Sequence, residues 1–313
     1  MADPIEVSKL VKTYGSLRAV DGVDFVLHAG EVFSFLGPNG AGKTTTVEIL
    51  EGLRQRTSGE VRVLSLDPWT ESDRLKGRIG VIPQDFHFFP KLTPREALNL
   101  YAGLFGCKID ADELLARVEL SDKADSYYDT LSGGQHQKLG VALALVNDPE
   151  VCFLDEPTTG LDPRARRSIW DVIRTLRREG RTVFLTTHYL EEAQQLSDRI
   201  AIINLGHVIA SGSPDEIIAR YGRRARVRFT GDPALVERVR ALGLTAEPDN
   251  GGVEVEVGNQ RDVLRVLETL ESSGLPWRSF STVSDTLEDV FIRLVGRIED
   301  AALPTEEKGE ARG

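Results

Sequence analysis

The run Gly37-Pro38-Asn39-Gly40-Ala41-Gly42-Lys43-Thr44 has the spacing G-x-x-x-x-G-K-[ST], which suits a backbone loop wrapped around phosphate. Glycines let successive N–H groups converge on an anion with no Cβ in the way. A helix starting near Gly42 turns its positive N-terminal end toward the same charge. In such a loop Lys43 reaches the β- and γ-phosphates of a nucleotide and the Thr44 hydroxyl ligates Mg²⁺, with Thr45 next to it among the ATP-binding residues. Average residue frequencies allow a chance match about once in a hundred chains of this length. A second constellation is Val151-Cys152-Phe153-Leu154-Asp155-Glu156, an apolar strand ending in two carboxylates. Such a strand delivers Asp155 to the edge of the sheet where ligands of open α/β sheets sit, close enough to hold Mg²⁺. Glu156, one residue on, is placed to orient or deprotonate an attacking water.

These residues need a sheet and helices to position them, and the apolar pattern supplies both. Ile5–Lys12 and Val23–Leu27 alternate like half-buried antiparallel strands, and Glu31–Leu36 reads as a buried strand running into the loop. From Thr93 to Leu120 the apolar spacing is helical, opening with a capping box at Thr93-Pro94-Arg95-Glu96. Strands at 151–154 and 182–186 alternate with helices at 163–179 and 190–196, and 200–205 with 207–210 reads as a closing hairpin. This alternation predicts an α/β fold with a parallel sheet covered on both faces.

Leu131-Ser132-Gly133-Gly134-Gln135 separates kinds of phosphate-loop protein. It resembles the signature motif of ATP-binding cassette (ABC) proteins, and the resemblance runs from residue 5 to about 220. It implies a RecA-like parallel core with an antiparallel β subdomain and a helical subdomain. It also implies that Ser132, Gly133 and Gly134, at a helix N-terminus, hold the γ-phosphate of ATP bound by a second copy. Tyr14 resembles the aromatic that stacks on adenine, and Gln84, after Ile79-Gly80-Val81-Ile82-Pro83, the glutamine that touches Mg²⁺ and senses a membrane partner. Thr159-Gly160-Leu161-Asp162 resembles the loop whose aspartate communicates across the dimer, and His188 the switch histidine beside the catalytic glutamate. His136 stands where many relatives carry a larger cation, and Gly160 where many have Ala; neither is a catalytic position.

Composition agrees with a soluble globular protein: 313 residues, 41% hydrophobic and 28% charged, with no long apolar run. The N-terminus lacks a secretory layout, the two cysteines Cys107 and Cys152 suggest neither disulfide nor metal, and the five histidines are scattered, so a cytosolic protein is expected. A net charge of −11 argues against broad nucleic-acid binding. The local run Arg220, Arg223, Arg224, Arg226 and Arg228 reads as a linker entering an edge strand, or else as a patch facing membrane or RNA.

A different pattern begins at Gly222. Strands near 226–230, 253–257 and 277–283, with helices near 233–242, 260–273 and 287–295, predict a compact α/β appendage. The expected division is therefore a nucleotide-binding domain at 1–222, an accessory domain at 223–297 and a disordered tail at 298–313. The appendage has no ligand motif; stabilising or regulating a dimer are the roles open to it. Thr286-Leu287-Glu288-Asp289-Val290-Phe291-Ile292 resembles the end of cassettes that serve drug, antibiotic and lipid exporters with separately encoded membrane subunits. The resemblance thus implies a peripheral ATPase at the cytoplasmic face, partnered by a transmembrane permease and a second cassette, with no nucleic acid. Phe86, Phe88, Phe89 and Leu92 then either line the groove that receives the permease or belong to the core. A soluble cassette acting on ribosomes or DNA is the alternative, disfavoured by a single phosphate loop and no sustained heptads; a small-molecule kinase leaves Leu131–Gln135 unexplained.

Overall fold

The computed structural model of the chain describes residues 3–84, 86–249 and 252–302. They form two compact units that divide between Pro214 and Asp215. The first begins with β1 (Ile5–Tyr14) and β2 (Leu17–Leu27), then β3 (Val32–Leu36), the glycine loop and α1 (Lys43–Leu50). Next come β4 (Ser58–Val63), α2 (Ser72–Lys76) and β5 (Ile79–Ile82), three short elements that the apolar pattern alone does not announce. A helical stretch follows: α3 (Pro94–Phe105), α4 (Ala111–Arg117) and α5 (Gly133–Ala144). The unit is completed by β6 (Val151–Asp155), α6 (Pro163–Arg178), β7 (Thr182–Thr187), α7 (Leu190–Leu196) and the hairpin β8 (Arg199–Asn204) to β9 (His207–Gly212).

The central sheet has the order β5-β6-β7-β3-β8-β9, parallel except for the last pair, and β2-β1-β4 make a separate antiparallel sheet. Successive side chains of a strand point to opposite faces. Here both faces are buried: Cys152, Leu154, Val183 and Leu185 join the core under the helices α3 to α6, while Val151, Phe153 and Phe184 join the core shared with β1, β2 and β4. That is why β6 reads as an unbroken apolar run. Phe33, Phe35, Phe153 and Phe184 are fully buried, and each contributes about 1.5–3 kcal/mol by leaving water. Helix α6 buries Ile169, Trp170, Val172, Ile173 and Leu176, spaced to form one helical stripe.

The helical pattern from Thr93 to Leu120 is not one helix. Gly106 ends α3 in the left-handed region at φ 66°, and Asp110 restarts the chain by capping α4 through the N–H groups of Asp112 and Glu113. The capping box at Thr93 and Glu96 is present as expected. Phe86 and Phe88 pack on the helical core with Tyr128 and Tyr101, whereas Phe89 is 62% exposed.

The second unit opens with α8 (Pro214–Tyr221), ahead of the boundary expected after residue 222. Then come β10 (Arg226–Gly231), α9 (Ala234–Arg240), β11 (Ala246–Asp249), β12 (Gly252–Glu256), α10 (Gln260–Ser272), β13 (Trp277–Val283) and α11 (Leu287–Ala302). The sheet order is β11-β12-β10-β13, so β10 is an inner strand, not the edge strand its arginines suggest. Its inner position is tolerated because Arg226 pairs with Glu254 and Asp285, each at 3.0 Å, while Val227 and Phe229 alternate into the core. Arg220 is helical and is not part of a linker. Helix α11 carries the backbone through residues 298–302 of the expected tail, since Glu and Ala extend a formed helix at little cost; residues 303–313 lie outside the described residues.

Candidate active site

The glycine loop is shaped by its neighbours as well as its ligand. A Cβ at Gly37 would stand 2.3 Å from the Ile203 carbonyl oxygen, and one at Gly42 would stand 2.4 Å from that of Ala19. Gly42 also has φ +105°, so glycine is required there twice over. Gly40 meets nothing within 4 Å and owes its identity to φ +79° alone. Pro38, Asn39 and Ala41 complete the turn, and α1 begins at Lys43 with its first N–H groups uncapped by any side chain. Lys43 is buried, and its ammonium donates to the Gly37 and Pro38 carbonyls at 2.8 and 3.1 Å. Burial lowers its pKa, and the charges of Glu156 and Asp155 work the other way. Thr44 is exposed and Thr45 half-buried on the first turn.

Strand β6 delivers Asp155 and Glu156, both buried, as its apolar run implies. Burial raises the pKa of Asp155; the Thr186 hydroxyl, which donates to it, opposes that shift, and the neighbouring Glu156 adds to it. The Glu156 N–H donates to the Thr186 hydroxyl at 3.0 Å, fixing the end of β6 against β7. Glu156 itself sits at φ +47°, an unusual conformation for a residue with a side chain and one that recurs at functional sites. Its Oε2 is hydrogen-bonded to Gln84 Nε2 at 3.3 Å, the Thr159 hydroxyl at 3.0 Å and His188 Nδ1 at 3.0 Å. Oε1 accepts no hydrogen bond among the described residues, so one lone-pair face stays open to a water. His188 Nε2 is likewise unbonded by described residues, and its ring packs on Tyr189 at 4.1 Å.

Lys43, Gln84, Asp155, Glu156 and His188 therefore meet around one point. The signature turn does not join them: no hydrogen bond or ion pair among the described residues links Ser132–Gln135 or Tyr14 to that group. Ser132 caps α5 and, with Gln135, forms a capping box, while Leu131 is buried behind it. A Cβ on Gly134 would lie 2.8 Å from that of Ala165, so this glycine lets α5 approach α6. A Cβ at Gly133 would find its nearest neighbour, Leu161, 3.9 Å away, and this exposed residue opens the helix, the end that favours an anion. Asp162 caps α6, accepting from Arg164 and Ala165 N–H at 2.8 and 2.9 Å. Tyr14 ends β1 with its ring 39% exposed and flanked by Lys12 and Arg54.

Sequence reasoning missed Thr186 and Thr159, whose hydroxyls orient the carboxylates, although threonines clustered at the ends of two apolar strands were a signal. It also missed Glu192, fully buried and bonded by Thr158 and Trp170, which ties the loop after β6 to α6 and α7. Hydroxyl, carboxylate and amide oxygens at Thr44, Asp155 and Gln84 are the hard donors that Mg²⁺ prefers, and Lys43 is the cation whose charge reaches both buried carboxylates. The donor set thus fits a magnesium nucleotide.

Comparison with known proteins agrees. Residues 20–159 match the family model for ABC transporters, and residues 212–295 match that for the C-terminal domain of DrrA1-3-like ATP-binding proteins. The chain is 40% identical to the daunorubicin/doxorubicin resistance ATP-binding protein DrrA of Streptomyces peucetius, over 98% of this chain and 96% of that one. It is 39% identical to the Nod factor export ATP-binding protein I of Paraburkholderia xenovorans, over 94% and 97% respectively. Among solved structures, a dimeric post-hydrolysis ATP-binding cassette bound to ADP and Pi superposes with TM-score 0.60 at 28% identity, covering 67% of this chain and 98% of that one. Among the described residues no helix is long and apolar enough to cross a membrane. A phosphate loop, a paired carboxylate and a signature turn on this fold, with full-length relatives of the same plan, place the chain in the ABC transporter family as an ATP-hydrolysing, nucleotide-binding subunit.

Proposed function

We propose that two copies of this chain, or this chain and another cassette, clamp ATP between the glycine loop of one and Ser132-Gly133-Gly134 of the other. This closure drives export of a drug, antibiotic or lipid-like molecule through a separate transmembrane subunit at the cytoplasmic face. The observation that carries the reading is Glu156, held on Oε2 by three donors with Oε1 left open, beside a buried lysine in a glycine loop. Thr44, Asp155 and Gln84 would hold Mg²⁺, which would supply charge neutralisation at the phosphates. Lys43 leaves the Gly37 and Pro38 carbonyls for the phosphates. Glu156 Oε1 takes a proton from water as the water oxygen bonds to the γ-phosphorus, and the bond to the β-phosphate oxygen breaks to leave ADP and inorganic phosphate. His188 presents Nε2 to the γ-phosphate, and Tyr14 offers its exposed face to adenine. Asp162, by capping α6, holds the loop after Glu156 in shape at the dimer seam.

The cargo class follows the relatives named for daunorubicin resistance and Nod factor export. Docking to the permease is assigned to an apolar groove lined by Leu53, Ile79, Val81, Tyr101 and Phe105, which opens beside β5 just before Gln84. No role in nucleic-acid binding is assigned. The test is ATPase activity of the chain copurified with its membrane subunit: turnover should rise with transported substrate. A rate that stays the same with or without membrane subunit and candidate cargo counts against the exporter reading.

A further inference from the structure

The groove assigned to docking has a volume of about 340 Å³ and a mostly apolar wall, with Glu51, Lys76 and Asn147 among its lining. Helix α3 contributes Tyr101 and Phe105 to its wall, and Phe105 is 43% exposed. Glu51, the residue that ends α1, lines this groove and is only 6% exposed.

Glu51 differs from every other buried acid among the described residues. Glu31 is bonded by Arg199 and the His28 N–H, and Asp155 by Thr186. Glu156 has three donors, Glu192 has Thr158 and Trp170, and Asp285 has the Arg223 N–H and two arginines. The Glu51 carboxylate accepts no hydrogen bond and joins no ion pair among the described residues. Burial, with the charges of Asp155 and Glu48, pushes it up to about 8. Lys76 also lines the groove, but its side chain is 55% exposed and lies 3.9 Å from Asp73. The Glu51 oxygens are not sealed from solvent, unlike Glu192 Oε2, which is buried without a partner; Glu51 lines the groove with a carboxyl that no described residue engages, and an apolar residue of similar size would suit the apolar wall better.

We propose that Glu51 sets the specificity of this groove by pairing with a lysine or arginine that the membrane subunit's docking segment carries among apolar residues. The proposal rests on the docking reading above. A cation is favoured over a neutral donor because a charge-assisted hydrogen bond to a carboxylate is the stronger one, and among the described residues no cation pairs with Glu51, the nearby Arg54 being taken by Glu48. Lysine and arginine suit the shape as well, since their aliphatic stems lie along an apolar wall while the charged head reaches the Glu51 carboxylate.

The experiment measures the affinity of the full chain for its membrane subunit in nanodiscs, with Glu51→Leu, Glu51→Gln and Leu53→Asp. The proposal expects Glu51→Leu and Glu51→Gln each to weaken docking by about tenfold or more. Glu51→Leu should leave the free chain at least as heat-stable as the wild type, which separates lost pairing from lost folding. A wholly apolar docking segment predicts the opposite sign, and a Glu51→Leu chain that binds as tightly as wild type or tighter overturns the proposal. Leu53→Asp tests the groove alone: if it leaves docking intact, the docking reading fails; if it abolishes docking while Glu51 variants bind normally, only the role of Glu51 fails. Glu51→Lys should be rescued by exchanging a basic residue of the docking segment for glutamate, and no such rescue at any of its basic positions counts as refutation.

Discussion

Glu156 concentrates its three side-chain hydrogen bonds on one oxygen, and the consequence is testable at that residue. Glu156→Gln keeps the shape but cannot take a proton, so hydrolysis should fall by about two orders of magnitude or more while ATP-dependent dimers persist. Single-turnover assays with size-exclusion chromatography read both; retained turnover would remove Glu156 from its role. Glu51 gives a pH prediction. Its folded pKa of about 8 lies above the ordinary 4.5, so its contribution to stability is fully present below about 4.5 and is lost as pH rises through about 8. Glu51→Leu should therefore raise the unfolding free energy more at pH 8 than at pH 5, by an amount on the order of a few kcal/mol, read by chemical denaturation at the two pH values. Equal gains at both pH values would contradict the burial of an unpaired carboxyl. Cys152 illustrates a residue whose role was legible at once: it is buried in β6 with its thiol pushed up to about 12 by burial, inert as its apolar neighbours imply.

The signature turn works at the scale of an element, as the start of α5. Its two glycines are not equivalent. Gly134→Ala forces apart α5 and α6, where a Cβ meets Ala165 at 2.8 Å, and should cost about 1–3 kcal/mol in chemical denaturation. Gly133→Ala meets only Leu161 at 3.9 Å and should leave stability nearly unchanged while weakening the ATP-bound dimer. If both variants destabilise the free chain alike, the distinction fails. Ser132→Ala removes a cap worth about 1 kcal/mol and should also weaken the dimer more than ATP binding to one chain. His136, in place of a larger cation, stacks on Tyr128 at 4.1 Å and bonds its carbonyl through Nε2 at 2.7 Å, tying α5 to the segment that packs on Phe86. Cap residues and helix starts were readable in advance, because capping is local chemistry. The break between α3 and α4 was misread, since the apolar spacing continues across it and only Gly106 and Asp110 mark the interruption.

At the scale of the molecule, one chain carries the glycine loop and the signature turn without bringing them together, and in the function proposed above a second cassette supplies the missing half. Turnover by the isolated subunit should then depend on encounter between two cassettes. At concentrations well below the dimer dissociation constant the observed rate should scale with the square of protein concentration, and a linear dependence down to the lowest detectable level would argue for a monomeric enzyme. The second unit has its own core around Val227, Phe229, Val255 and Val266, so its folding does not explain the ATPase chemistry of the first.

Sequence alone determined what is local or repeated in chemistry: the glycine loop, the capping box at Thr93 and Glu96, the apolar strand ending in Asp155 and Glu156, and most of the strand and helix order. Each depends on residues within one turn or one strand of one another, where backbone geometry leaves few choices. Tertiary structure decided what depends on distance. It brought Gln84, Thr159 and His188 onto one oxygen of Glu156, put the arginine-bearing β10 inside its sheet, and left Glu51 buried without a donor. Those outcomes follow from which elements pack side by side, and no spacing along the chain encodes them.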